Sequence, residues 1–229
     1  MLKVALQQTR ARMKSRVVLV VLAAGQGSRF GAGGHKLAQK FGASTVLETT
    51  LANALMSQLS VIVVTTAGLA PLAQHSVAAD AVVVIPEVKG GEVRHGTGTG
   101  TGTGTEAGLG MGYSIAHGVL ARPQASGWLV LPGDMPMVQA TTLQAVAAQI
   151  EHHAVAYAQH LGRRGHPVGF AAELFSELVA LRGDEGARRL IGRYAAHAVD
   201  VADAGVLMDV DTPFDLEHAR QSHAAIATR

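Results

Sequence analysis

Three apolar runs of strand length alternate with segments of helical periodicity in the first part of the chain. The runs are Val17–Leu22, Val61–Thr65 and Ala81–Ile85. None shows the polar alternation of a half-exposed strand, so each predicts a strand buried on both faces. The intervening patterns predict a helix from Ser44 or Thr45 to about Leu59 and a second helix over Leu69–Ala79. This alternation indicates parallel strands joined by crossover helices.

The second half of the chain continues the pattern with shorter segments. Its predicted strands are Trp128–Leu131 and Ala154–Ala158, and its predicted helices are Val138–His153, Glu173–Leu181, Glu185–Ala195 and one with Pro213 in its first turn. A chain of 229 residues suits one α/β domain, which we place at residues 17–229. Inside it, five consecutive Gly-Thr pairs dominate residues 95–105. They can bury no apolar surface, so they predict a mobile insertion, either a lid or inert low-complexity sequence.

Composition narrows the class of protein. With 48% hydrophobic and 16% charged residues, the chain can bury a substantial core. A net charge of +2 and the lack of a basic stripe argue against nucleic-acid binding, and no apolar run suggests a membrane span. Cysteine is absent, which excludes disulfides and thiolate metal sites and suits a reducing compartment. We therefore expect a cytoplasmic protein.

The N-terminal segment differs from the rest of the chain. Residues 1–16 carry five Lys or Arg residues and no acid. They predict a disordered basic extension, although a transit peptide has a similar composition. Met13 is an alternative start to Met1, four residues before the first predicted strand.

The segment after the first strand contains the first candidate chemistry. Glycine occupies positions 25, 27, 31, 33 and 34, and Arg29 and Lys36 are the nearby cations. Small residues let the backbone approach a ligand closely, and consecutive N–H groups in such a turn form an anion-binding nest. Open α/β sheets bind ligands beyond the carboxyl ends of their strands, so this pattern predicts a polyphosphate loop. The structural alternative is a Gly-rich turn between a strand and a helix, with two solvated cations.

Two of three known phosphate loops fit this segment poorly. A Walker A loop requires Gly-Lys followed by Ser or Thr, whereas Lys36 lies between His35 and Leu37. A dinucleotide fingerprint requires a third glycine where Phe30 stands, and the second strand ends without the acid that would hold a ribose. The third pattern, L-A-A-G-x-G-x-R-x-G followed by lysine, is complete from Leu22 to Lys36. It resembles the nucleotidyltransferase signature. The form of this signature with a second alanine, at position 24, resembles that of the molybdenum cofactor cytidylyltransferases, a MobA-like family.

Two acidic motifs extend the resemblance. Asp134, in G-D-M-P, follows a predicted strand, where packing explains a carboxylate poorly and Mg²⁺ explains it well. Asp211 belongs to D-x-D-T-P-x-D-L, which closes the fold in this family. There the aspartate before Thr-Pro is a second metal ligand, so the resemblance implies Mg²⁺ on Asp134 and Asp211, with Asp209 nearby. The structural alternatives are a turn at Asp134 and a helix cap at Asp211 or Thr212.

Two further segments resemble the family. R-G-H-P-V lies near the second substrate there, which implies substrate contacts from Arg163, Arg164, Gly165, His166 and Pro167. Its guanidinium groups suit a phosphate monoester such as that of molybdopterin, and a basic surface hairpin is the alternative. Gly110–Gly118 resembles a G-M-x-x-S-L segment that opens a helix beside the nucleotide. Ser114 would then face the base or ribose, or would merely line or cap that helix.

Together these motifs imply a three-layer α/β/α, Rossmann-like nucleotidyltransferase fold with a mainly parallel sheet. The implied reaction transfers CMP from CTP to molybdenum-bound molybdopterin and releases pyrophosphate, with Mg²⁺ as cofactor and a molybdenum hydroxylase as a candidate acceptor of the product. The implied catalytic residues are Arg29, Lys36 and Asp134, and the implied nucleotide-binding residues are Leu22, Ala23, Ala24, Gly25, Gly27, Ser28, Arg29, Lys36, Ser114, Pro132 and Gly133.

Other functions stay open at this point. Guanylyl transfer and sugar-phosphate nucleotidyl transfer use the same fold, and some relatives of the family are oxidoreductases, so NADPH is a candidate ligand of the loop. A non-catalytic chaperone that carries molybdopterin would keep R-G-H-P-V without needing both Asp134 and Asp211.

Overall fold

The computed structural model describes residues 17–25, 27, 30, 34–86, 110–183 and 186–227. The predictions for residues 1–16, for the Gly-Thr insertion at 95–105 and for Ser28 and Arg29 lie outside these residues. The described strands are β1 (Val18–Ala23), β2 (Lys40–Phe41), β3 (Ser44–Thr45), β4 (Ser60–Thr66), β5 (Val82–Ile85), β6 (Gly127–Pro132), β7 (Val155–His160), β8 (Arg163–Ala171) and β9 (His197–Asp200). The described α-helices are α1 (Val46–Met56), α2 (Ala70–Gln74), α3 (Gly110–Leu120), α4 (Ala140–Gln149), α5 (Phe175–Val179), α6 (Gly186–Arg193) and α7 (Pro213–Ala227).

Seven of these strands form one sheet in the order β5-β4-β1-β6-β8-β7-β9, and β2 pairs with β3 in a small separate hairpin. β8 is antiparallel to both of its neighbours, and the other pairs in the large sheet are parallel. The prediction of a mainly parallel sheet is therefore confirmed. The carboxyl ends of β1, β4 and β6 meet at one edge, and β8 begins at that edge because it runs against β6.

Helices cover both faces of the sheet. Alternate side chains of β1 point to opposite faces and so pack against different helices. Leu19 and Val21 are fully buried in one core, which is built with side chains of α1, α4 and α7. Val18 and Val20 join the other core, which contains side chains of α3, α5 and α6. Both faces of β1 are thus buried away from solvent, which explains its unbroken apolar run. The predicted three-layer α/β/α architecture is confirmed.

Several element boundaries differ from the predicted ones. The helix predicted over Leu69–Ala79 ends at Gln74, since the chain turns at Ser76 and Val77 and packs Val77 against the core. The segment predicted as helix over Glu173–Leu181 is split into a 3-10 turn and the short α5. Strand β8 was predicted only as part of a possible hairpin. The short strands β2, β3 and β9 were not predicted, because two to four residues carry little periodicity.

Candidate active site

The end of β1 and the G-D-M-P segment meet at the carboxyl edge of the sheet. The backbone N–H of Gly133 donates to the carbonyl oxygen of Leu22 over 2.8 Å. A Cβ atom on residue 133 would lie 2.9 Å from that oxygen, so this approach requires glycine. The hydroxyl of Thr65 donates to the next carbonyl oxygen of β1, on Ala23, over 3.1 Å. Two segments that were predicted separately to bind nucleotide, 22–25 and 132–133, are therefore neighbours.

His35 ties the glycine loop to the turn that carries Lys36. Its Nδ1 accepts a hydrogen bond from the backbone N–H of Leu37 over 3.2 Å, so Nε2 bears the ring proton. Nε2 then donates to the carbonyl oxygen of Gly25 over 2.7 Å. Gly27 has a φ of +60° beside this ring, a conformation that glycine adopts without strain. The sequence did not indicate this role, because His35 belongs to no recognised spacing.

Lys36 lies between two carboxylates from distant parts of the chain. Its ammonium group contacts Oδ2 of Asp134 and donates to Oδ1 of Asp211 over 2.5 Å. The side chains of Lys36 and Asp134 are 14% and 13% exposed, and that of Asp211 is 34% exposed. The structure thus brings together three residues that were predicted for catalysis and metal binding.

The charges of this cluster are coupled through burial. Burial raises the pKa of the Asp134 carboxyl, Lys36 opposes that rise, and the carboxylates of Asp209 and Asp211 add to it. Burial alone would lower the pKa of Lys36, but the two carboxylates outweigh it and raise that pKa. The two carboxylates therefore stabilise the charged form of Lys36, and the Lys36 ammonium favours the ionised form of Asp134.

Backbone contacts hold the two aspartates in register. The N–H of Val210 donates to the Asp134 carbonyl oxygen over 2.9 Å, which links the G-D-M-P segment to the D-x-D-T-P segment. Thr212, rather than Asp211, caps α7, since its hydroxyl accepts from the N–H of Asp215 and its own N–H donates to the Asp215 carboxylate. Of the two capping residues that the sequence left open, the structure therefore selects Thr212. The Asp211 carboxylate instead contacts Lys36.

The R-G-H-P-V segment starts β8 at the same edge. Arg163 and Arg164 are exposed, and the Arg164 guanidinium carbon lies 4.3 Å from the ring centroid of Tyr157. Pro167 is buried and follows a cis peptide bond. β7 and β8 form a hairpin with the two arginines at its exposed start, but β8 lies between β6 and β7 in the sheet and its residues 167–170 are buried.

His166 is a half-buried polar residue within this segment, and its Nδ1 atom is shielded from solvent. Its Nδ1 has no hydrogen-bond partner in the part of the chain that the structure describes. Burial lowers the pKa of His166, and Asp209 opposes the fall. Asp209 thus acts electrostatically on both His166 and Asp134, so it connects the carboxylates with the predicted second-substrate segment. A buried nitrogen without a partner is unusual, because buried polar groups are normally hydrogen-bonded.

Ser114 lies in the first half of α3 and is buried. α3 packs on the face of the sheet opposite α1, so Ser114 belongs to the other helical layer. Its predicted contact with the base or ribose stays a prediction.

The residues present fit a divalent cation that shares its coordination with substrate. Oδ1 of Asp134 is buried and, among the described residues, has no hydrogen-bond partner, as expected for a carboxylate that awaits a cation. Within the described ranges, no group of three or more His, Asp or Glu side chains is placed to hold a metal. Two carboxylates completed by water and phosphate oxygens are typical of Mg²⁺.

In the described part of the chain, no helix is both long and apolar enough to cross a membrane.

The family model of the MobA-like NTP transferase domain matches residues 19–201. This chain belongs to the MobA-like NTP transferase family. The predicted MobA-like resemblance is thereby confirmed, and the cluster of Lys36, Asp134 and Asp211 lies in a nucleotidyltransferase fold.

Known proteins share different portions of this MobA-like chain. Purine catabolism protein PucB of Bacillus subtilis (strain 168) is 33% identical over 115 residues, which cover 48% of this chain and 56% of PucB. The match therefore spans little more than half of that relative. Rv0371c from Mycobacterium tuberculosis H37Rv superposes with a TM-score of 0.73 at 27% identity, covering 91% of this chain and 99% of that one. A second Rv0371c structure is a complex with manganese, with a TM-score of 0.70. Molybdopterin-guanine dinucleotide biosynthesis protein A from Archaeoglobus fulgidus has a TM-score of 0.60 at 16% identity over 91% of this chain and 100% of that one, which shows a shared fold alone.

Proposed function

We propose that this chain is a divalent-metal-dependent nucleotidyltransferase that transfers CMP from CTP to molybdenum-bound molybdopterin. The observation that carries the proposal is the convergence of Lys36, Asp134 and Asp211 where the glycine loop leaves β1. The R-G-H-P-V segment starts at the same edge of the sheet. Cytosine and molybdopterin are supported by the resemblance of the A-A-G loop and of R-G-H-P-V to the cytidylyltransferases.

The proposed reaction needs no nucleophile from the protein. A phosphate oxygen of molybdopterin attacks the α-phosphorus of CTP, the bond from that phosphorus to the bridging oxygen breaks, and pyrophosphate leaves with the electron pair. The protein must hold two anions in line and offset the charge on the leaving group. Asp134 and Asp211 would hold Mg²⁺, which when bound offsets phosphate charge and helps to orient the two phosphates. Lys36 and Arg29 would stabilise the pyrophosphate.

The second substrate is supported by the chemistry at the start of β8. The exposed guanidinium groups of Arg163 and Arg164 can donate paired hydrogen bonds to a phosphate monoester. Nδ1 of His166, in the same segment, is a buried polar atom without a hydrogen-bond partner among the described residues. Both Asp134 and Asp211 contact Lys36, which favours an enzyme over a carrier that needs only the R-G-H-P-V segment.

Ligand-dependent thermal unfolding tests the nucleotide and the metal together. The protein is melted with CTP, GTP or NADPH, each with and without Mg²⁺. A ligand at about a hundred times its Kd adds roughly 2.7 kcal/mol, which is about 5–11 °C in a domain of this size. We expect a shift of this size for CTP with Mg²⁺. A metal-dependent shift for GTP alone would assign guanylyl transfer, and a metal-independent shift for NADPH would overturn the proposal.

The variant Asp134→Asn tests the metal site. It keeps the size of the side chain but removes the charge, so we expect the Mg²⁺-dependent part of the CTP shift to disappear. Asp80→Asn, at an exposed acid, is the matched control and should leave the shift unchanged. Pyrophosphate release from CTP and molybdenum-bound molybdopterin then measures turnover, and Asp134→Asn activity equal to that of wild type would place the metal elsewhere.

A further inference from the structure

A cation already lies between the two carboxylates proposed to hold the metal. The Lys36 ammonium contacts Oδ2 of Asp134 and Oδ1 of Asp211 at the same time. Lys36 and Asp134 are largely shielded from water and Asp211 is partly exposed, so solvent screens the pair of Lys36 and Asp134 least. A divalent ion that used both carboxylates would meet this ammonium at close range, where like charges repel strongly.

The ammonium group of Lys36 can move away from the two carboxylates without a change in the backbone of the loop. Its charge is a compact ammonium at the end of a flexible four-carbon stem, so it can move while the backbone stays in place. The backbone is held independently, because His35 bonds to Gly25 on one side and accepts from the N–H of Leu37 on the other. The side chain of Lys36 therefore has freedom that its backbone lacks.

We propose that Lys36 is an internal counter-cation that competes with the divalent metal and so makes metal binding depend on the nucleotide. The inference rests on the proposed function. Without nucleotide, the ammonium occupies the carboxylate oxygens and the metal binds weakly. The triphosphate provides another anionic partner for Lys36, which releases both aspartates to the metal. Because such coupling is reciprocal, the metal strengthens nucleotide binding by the same factor.

The test measures Mn²⁺ affinity in the absence of nucleotide, by the electron paramagnetic resonance signal of the free ion. Lys36→Met removes the competing charge. We expect this variant to bind Mn²⁺ about tenfold more tightly than wild type, a factor within the usual range of coupling between sites. Lys36→Arg keeps a cation at this position and should remain as weak as wild type. Lys40→Met removes one charge from an exposed lysine four residues away and is the matched control.

The opposite results are equally definite. Unchanged or weaker Mn²⁺ binding in Lys36→Met overturns the inference, and so does an equal gain in Lys40→Met, which would reduce the effect to net charge. Lys36→Gln provides a second neutral side chain if Lys36→Met does not give the circular dichroism of the folded protein. In the confirmed case, CTP should raise Mn²⁺ affinity less in Lys36→Met than in wild type.

Adding CTP and Asp134→Asn separates this inference from the proposed function. If wild type binds Mn²⁺ with CTP and Asp134→Asn does not, the metal site is correct whatever Lys36→Met shows. If wild type does not bind Mn²⁺ even with CTP, the proposed metal site and this inference both fail.

Discussion

Asp134 and His166 are both half-buried, and partial burial pushes each toward its neutral form. For Asp134 the pKa rises, and for His166 it falls. The two residues differ in what compensates them. Asp134 has the Lys36 ammonium on one oxygen and nothing, among the described residues, on the other. His166 needs no counter-charge as long as it stays neutral, so pH decides its contribution.

The pH dependence of stability should report His166. Its folded pKa lies below the ordinary value of 6.5, so the unfolded chain takes up the proton first as pH falls. The contribution of His166 is therefore fully present above about pH 6.5 and is lost as pH drops, by about 1.4 kcal/mol for each pH unit separating the two pKa values. Urea unfolding between about pH 5 and 7.5 should show a shallower pH slope for His166→Gln than for wild type.

The control for this experiment is His218→Gln, at an exposed position of α7. It should keep the slope of the wild-type protein. If His166→Gln and wild type have the same slope, protonation of His166 does not contribute to stability in this pH range.

At the scale of elements, the position of the acidic motif depends on a close approach between β8 and the segment before Asp209. A Cβ atom on Gly165 would lie 2.2 Å from the carbonyl oxygen of Val206. Asp203 adds a second anchor, since its buried carboxylate accepts from the N–H of Gln139, the hydroxyl of Thr142 and the N–H of Gly205. Together these contacts fix the chain that leads into Asp209 and Asp211 against β8 and α4.

The substitution Gly165→Ala tests this approach. The added methyl group meets backbone, which cannot move aside as a side chain could, so we expect a loss of about 3 kcal/mol or more in the free energy of unfolding. Gly192→Ala is the matched control, because nothing lies within 4 Å of the added atom in α6. Alanine there should stabilise the protein by up to about 1 kcal/mol. Urea unfolding measures both, and a cost below about 1 kcal/mol for Gly165→Ala would show that β8 and Val206 can separate.

At the scale of the whole molecule, the two cores share one sheet and should unfold together. Trp128 is the single tryptophan of the chain, and it is fully buried in the core that contains α3, α5 and α6. Its fluorescence therefore reports one layer, whereas far-UV circular dichroism reports helices of both layers. We expect the two signals to give the same midpoint in urea. A fluorescence transition that precedes the loss of helix would instead indicate that this layer opens separately.

The sequence predicted the architecture well because burial on two faces leaves a clear pattern. The apolar run that ends at Leu22 predicted a strand buried on both faces, and the glycines after it predicted a ligand-binding loop. Boundaries were predicted less well where long-range contacts set them. α4 is an example: Asp203, 64 residues beyond Gln139 in the chain, accepts from the N–H of Gln139 where that helix begins.

The identity of the candidate site residues was predicted from the sequence, but the contacts between them were not. The sequence identified Lys36, Asp134 and Asp211 because charged residues next to buried strands and turns stand out and match a family motif. It could not reveal that Lys36 joins the two carboxylates, that Thr212 rather than Asp211 caps α7, or that His35 closes the loop. Each of these facts depends on the distance between atoms.

The sequence by itself therefore determined the kind of layers, the family and the set of candidate residues, because periodicity and motif spacing are local properties of a chain. The tertiary structure decided the partners of those residues. Asp134 and Asp211 are 77 positions apart in the chain. Both contact Lys36, because Asp134 follows the end of β6 and Asp211 precedes the start of α7 at the same edge of the sheet. Burial at that edge also sets the charge of the site, since the pKa of Asp134 depends on how much water and how many charges surround it.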